Sequence, residues 1–150
     1  MIAVVQRVTS ASVAVEGREV GRIERGMVVL LAVHQTDTDA DIAWMSAKLA
    51  TLRIFPREDR NFDLDVLQID GSILRISNFT VAADAQKGRR PSLAAAADPA
   101  TARVRFDRLV QALRDSQIDV QTGVFGADMQ VNLTNDGPVT FLLDSRIKRD

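Results

Sequence analysis

The chain has no cysteine. That excludes disulfides, a thiol nucleophile and any thiolate metal site. Histidine is nearly as scarce, with His34 the one copy in 150 residues. Zinc needs several nitrogen or carboxylate donors converging on one point, and no spacing here supplies them. No apolar run approaches the roughly 18 residues of a membrane span. Met1 to Arg7 lack the charged, then apolar, then small-residue order of a signal peptide. Neither sign of charge dominates, since the net charge is −1. This argues against a bulk electrostatic DNA binder and leaves room for a local basic patch. The expectation is a cytoplasmic protein without membrane attachment, metal or cofactor.

What is present fits one domain over 1–150. Hydrophobic residues make up 46% and charged residues 26%, a soluble globular balance. The length allows a real core. Residues 2–8 and 12–15 read as strands, and the turn Glu16-Gly17-Arg18 leads into a returning strand over 19–23. Met27 to Val33 is an unbroken apolar run, fit for a strand buried on both faces. Ile42, Met45, Leu49 and Leu52 recur at helical spacing, so a helix is expected over 39–52, with Thr38 as N-cap and Trp44 off the stripe. Residues 56–65 read as loop and 72–77 as a strand. Asp98-Pro99 opens a second helix, which runs to about Ser116 with Val104, Leu109, Val110 and Leu113 as its apolar stripe. Strands are expected over 120–125, 129–133 and 138–143. The class is α+β: a β-rich curled sheet or open barrel with two main helices against it.

Several stretches could carry chemistry. Ser77-Asn78-Phe79-Thr80 puts two hydroxyls and an amide at the end of a buried strand. A threonine hydroxyl is a poor nucleophile without a base in reach, and no motif ties His34 to Thr80. Backbone N–H groups at such a turn could form an oxyanion hole instead. A strand ending in polar residues is also commonplace. Lys87-Gly88-Arg89-Arg90 clusters three cations around a glycine, which suits phosphates or a plain solvated loop. Asn135-Asp136-Gly137-Pro138 is turn chemistry ahead of a β run, and the dipeptide alone suggests an ordinary trans turn, since about 5–6% of X-Pro bonds are cis.

Together these stretches resemble one family. Ser77-Asn78-Phe79-Thr80-Val81, Lys87-Gly88-Arg89-Arg90-Pro91-Ser92, Phe125-Gly126-Ala127-Asp128-Met129-Gln130-Val131 and Asn135-Asp136-Gly137-Pro138-Val139-Thr140 stand in the order and at the spacing of the D-aminoacyl-tRNA deacylases. Val4 to Val8 and Leu52 to Pro56 fit too. The resemblance implies a β-rich homodimer that hydrolyses the ester between a D-amino acid, or glycine, and the 3′ end of tRNA. It implies a cis Gly137-Pro138 inserted into the partner subunit's site. Its carbonyls would accept from the substrate ammonium and leave no room for an L side chain. It places Ser77, Asn78, Phe79 and Thr80 on the pocket floor, with N–H groups near Phe79 facing the oxyanion. Thr80 is either a nucleophile or a bystander to water assisted by the terminal 2′-hydroxyl. Arg7 would brace the Gly-Pro carbonyls, Phe125 would line the adenine-side pocket, Met129 would bind substrate, and Lys87, Arg89 and Arg90 would contact the acceptor end.

The chain departs from the family pattern at Asn78, where glutamine is usual, at Val81, usually leucine, and at Phe62-Asp63, where Met-Asn is typical. Two alternatives follow: a deacylase of altered selectivity owing to Asn78, or a tRNA-binding module that has lost catalysis.

Overall fold

The computed structural model describes residues 1–147, so the last three positions of the domain expected over 1–150 lie outside the described residues. Its elements run β1 (Ile2–Val15), β2 (Arg18–Ile23), β3 (Gly26–Ala32), α1 (Asp39–Thr51), β4 (Phe55–Arg57), β5 (Arg60–Leu64), β6 (Ser72–Ser77), a short 3-10 turn (Phe79–Ala82), α2 (Pro99–Asp115), β7 (Asp119–Thr122) and β8 (Gln130–Asp144). The α+β class and its two main helices agree with expectation.

One long sheet has the order β2-β1-β3-β6-β7, with β8 paired to β1. The first half of β1 pairs antiparallel with β3 and its second half with β2. The strands expected at 2–8 and 12–15 are thus one strand, continuous because β8 runs antiparallel along both halves. The pairs β3–β6 and β6–β7 are parallel. The sheet curls until β2 nears β7. A Cβ on Gly21 would lie 2.9 Å from the Thr122 carbonyl oxygen, so the barrel nearly closes at a point where only glycine fits.

The curl creates two apolar clusters. Val8, Val13, Ile23, Val28, Leu74 and Ile76 fill the barrel interior. Val5, Met27, Val29, Leu31 and Ile73 face outward and bury Met45, Leu49, Phe106, Leu109 and Leu113 of the helices. Alternation along β6 therefore aims Ile73, Arg75 and Ser77 to the helix side and Leu74 and Ile76 inward.

Several expected details are corrected. Residues 56–65 are not a plain loop: β4 and β5 form a hairpin, with Phe55 opposite Leu64. Val104 is exposed, because the buried stripe of α2 runs through Ala102, Phe106, Leu109 and Leu113. The strand expected over 120–125 stops at Thr122. The strands expected at 129–133 and 138–143 are two ends of β8, and the supposed turn between them is a bulge inside one strand.

Candidate active site

A cavity of about 430 Å³ opens between β6, the start of α2 and the segment after β7. Ser77 and Phe79 line it from the strand end, and Ala102 and Phe106 from α2. Phe125, Gly126, Ala127, Asp128 and Met129 line its third side. The lining is mostly apolar with a few polar groups, which suits an organic ligand. No helix is long and apolar enough to cross a membrane, and no group of three or more metal-ligating side chains lies among the described residues.

The end of β6 is built for hydrogen bonding. The Asn78 N–H donates to the Leu31 carbonyl at 2.8 Å, which fixes the strand end. The chain then turns into the 3-10 helix, where the N–H groups of Val81 and Ala83 donate to the Asn78 and Thr80 carbonyls. Phe79 and Thr80 stand at the start of that turn, where a helix supplies no acceptor for its first N–H groups. The Thr80 hydroxyl donates to Asn78 Oδ1 at 2.6 Å. An amide oxygen is no base, so this bond occupies the hydroxyl proton without activating the oxygen. Neither Asn78 nor Thr80 lines the cavity, whereas Ser77 and Phe79 do.

Phe125 belongs to a stack. Its ring centroid is 5.5 Å from that of Phe106, tilted by 56°. Arg75 lies 4.8 Å from the Phe106 centroid on the buried side, and Arg103 lies 5.6 Å from the Phe125 centroid on the exposed side. Arg75 is 5% exposed and its Nε has no partner among the described residues. Burial lowers its pKa to about 10, with Asp107 opposing and Arg114 adding to the shift, so it stays charged at neutral pH. Sequence reasoning missed Arg75 and Arg103, and it took Asn135 only as a turn residue of its motif. A lone charge in the apolar strand Ser72–Ser77 was the available signal for Arg75.

The second feature lies elsewhere in the chain. The Gly137-Pro138 peptide is cis, against the trans turn suggested by the dipeptide alone and as the resemblance implies. The register with β1 passes from Val8–Asn135 to Gln6–Thr140, so residues 136–139 have no ladder partner. Asn135 closes the bulge: its Oδ1 accepts from the Val139 N–H at 2.6 Å, and its Nδ2 donates to the Val139 carbonyl at 3.2 Å. Arg7 holds the bulge from below. Its Nε donates to the Asp136 carbonyl at 2.8 Å, and Nη1 donates to the carbonyls of Ile54 at 2.8 Å and Asn61 at 3.3 Å. Arg7 thus braces the residue before Gly137 and ties it to the β4–β5 hairpin. Gly137 and Pro138 are exposed and do not line the cavity.

Lys87, Arg89 and Arg90 are exposed on the irregular segment between the 3-10 turn and α2. Leu93, three residues beyond Arg90, lines the cavity. His34 does not line the cavity: its Nδ1 accepts from the Thr36 N–H at 3.2 Å, a local turn contact.

Residues 4–144 match the family model described as D-Tyr-tRNA(Tyr) deacylase. The chain belongs to this family. It is therefore a hydrolase of ester bonds. A protein of Geobacter sulfurreducens named D-aminoacyl-tRNA deacylase is 49% identical over 97% of this chain and 96% of its own length. One of Kosmotoga olearia, of the same name, is 50% identical over 97% and 98%. Among solved structures, a c-Myc DNA unwinding element binding protein is similar at a TM-score of 0.90 with 36% identity, over 96% of this chain and 98% of its own. A probable eukaryotic D-amino acid tRNA deacylase shares the fold at a TM-score of 0.81 and 17% identity, over 95% and 97%.

Proposed function

We propose that this chain hydrolyses D-aminoacyl-tRNA, and glycyl-tRNA mischarged on tRNA-Ala, as a homodimer in the cytoplasm, with L-aminoacyl esters rejected by Gly137-Pro138 of the partner protomer. The observation that carries this reading is a separation. The cavity bearing Ser77, Phe79 and Phe125 is not lined by Gly137 or Pro138 of the same chain. A second copy would bring the two motifs together. Apolar exposure supports such a contact: Phe62, Phe141 and Leu142 are 54%, 36% and 68% exposed, and Phe62 meets Phe141 edge-on at 5.9 Å. The last two follow Gly137-Pro138 on β8.

In the step proposed, water attacks the ester carbonyl and forms a tetrahedral oxyanion. Backbone N–H groups near Phe79 donate to that oxygen. The bond to the ribose oxygen then breaks, and that oxygen takes a proton. The products are a free amino acid and tRNA with its terminal hydroxyl restored. The substrate's neighbouring 2′-hydroxyl orients the water, and Thr80 keeps its hydroxyl on Asn78. Phe125 and Met129 hold the adenine, and Lys87, Arg89 and Arg90 meet acceptor-end phosphates.

A rejected L side chain points at the Gly137-Pro138 backbone, whereas a D side chain points away and glycine has none to reject. The test is hydrolysis of matched D-, L- and glycyl-tRNA by the purified protein with chelator present. Cleavage of the D and glycyl esters but not the L ester is expected. L-ester cleavage would refute the filter, and no cleavage would leave a tRNA-binding module. Active protein that stays monomeric in sedimentation would refute the shared site.

Thr80→Ala tests the chemistry. Single-turnover rates near those of the parent protein are expected. A loss on the order of 10⁴-fold or more would mark Thr80 as the nucleophile.

A further inference from the structure

We infer that Arg103 binds a phosphate of the substrate's 3′-terminal nucleotides, at the rim of the cavity on the side of Phe125. This rests on the reading of the cavity as the site for the tRNA end.

Arg103 lies in the first turns of α2, next to Ala102, whose side chain lines the cavity. One turn further along the helix, Phe106 lines it too. Helical spacing therefore puts Arg103 beside the cavity face and not across the helix from it. Its guanidinium lies 5.6 Å from the Phe125 centroid, within cation–π range. The side chain is exposed, and Arg103 makes no hydrogen bond or ion pair with the described residues. Arg108 on the same helix differs, since it is paired to Asp39 at 2.6 Å. Arg105 differs as well, with Nη1 donating to the His34 carbonyl at 3.5 Å. Arg103 is the cation of this helix turn that keeps all five donors for a ligand.

The stack explains the placement. Arg75 and Phe106 support Phe125 from within, leaving its outer side to Arg103. A base held in the cavity that Phe125 lines brings its own sugar and phosphate to the rim. The phosphate then lies within a side chain's length of the guanidinium, which grips two of its oxygens with a planar fork. Lys87, Arg89 and Arg90 belong to the other segment bordering the cavity, through Leu93. The terminal nucleotides thus pass between two cationic walls.

The experiment measures binding of an uncharged RNA ending in CCA, and of adenosine alone, to the full-length protein and to Arg103→Ala across several salt concentrations. The variant is expected to bind the RNA about tenfold more weakly, as for loss of one charge-assisted contact. The slope of log affinity against log salt is expected to flatten by about 0.7, one single-strand phosphate. Adenosine affinity is expected to stay unchanged, and Arg103→Lys to recover part of the RNA affinity. Unchanged RNA affinity and slope would overturn the assignment. So would equal losses for RNA and adenosine, which would make Arg103 a support for Phe125 alone. The deacylase reading fails separately: full-length protein that binds the RNA with these properties but leaves the D-ester intact refutes hydrolysis and upholds Arg103.

Discussion

Gly137→Ala is expected to lower kcat/KM for D-aminoacyl-tRNA by about 100-fold or more, the scale of an ångström of misplacement at a reacting centre. A Cβ there would lie 2.6 Å from Val139 Cγ2 and 2.7 Å from Val139 N. Real Cβ contacts do not come this close, so the bulge must move. Its freedom to move is small. The Val139 N–H is held by Asn135 Oδ1, and Val139 itself is 9% exposed. Gly137 also has φ +154°, a region that L side chains rarely adopt. The displacement therefore falls on the carbonyls of Gly137 and Pro138. Steady-state kinetics with D- and L-esters check it, alongside thermal melting. Because Gly137 and Pro138 themselves are exposed, the melting temperature is expected to change little beside the loss of rate. A variant with normal turnover and normal selectivity would remove Gly137-Pro138 from the specificity mechanism.

Arg7→Met is expected to destabilise the protein by about 3 kcal/mol, because charge-assisted bonds are each worth about 1.5–3 kcal/mol and the buried Ile54 carbonyl loses its Arg7 donor. For a domain of this size that is a fall in Tm of roughly 6–12 °C. Arg7 is 8% exposed, and its guanidinium serves the carbonyls of Asp136, Ile54 and Asn61. Methionine keeps the apolar stem and removes all of these donors. Activity is expected to fall further than stability accounts for, since Asp136 directly precedes Gly137. Assays well below the new melting temperature separate the two effects. Wild-type kcat/KM under those conditions would show that the bulge holds its shape without Arg7.

Much of the architecture was legible because it depends on local periodicity. The unbroken run Met27 to Val33 became β3, buried nearly throughout. The 3.6-residue spacing of Ile42, Met45 and Leu49 became the buried face of α1. Asp98-Pro99 opens α2 as read, with Asp98 Oδ1 accepting from the Thr101 N–H at 2.9 Å. The errors share one cause. Joining 2–8 to 12–15, or 129–133 to 138–143, depends on a distant strand that pairs across the gap. No local residue type reports that partner. Val104 failed as a core position because it lies two residues from both Ala102 and Phe106, about 200° round the helix from the stripe, and apolarity alone cannot register that.

The candidate site divides along the same line. The amino-acid sequence by itself determined which groups exist to be used: no thiol, one histidine, a polar strand end at Ser77 to Thr80, a cationic loop and Gly137-Pro138. It also carried the family, because the motifs stand together in order. Tertiary structure decided which groups meet. It set Phe125 between Phe106 and Arg103, and it turned the Thr80 hydroxyl to Asn78 Oδ1. It carried Arg7 across the fold to Asp136 and left Gly137-Pro138 outside the cavity of its own chain. The reason is physical. Residue type sets what a side chain can donate, accept or exclude. Contacts between residues distant in sequence are set by how the sheet curls and where the helices pack, and both are properties of the whole chain.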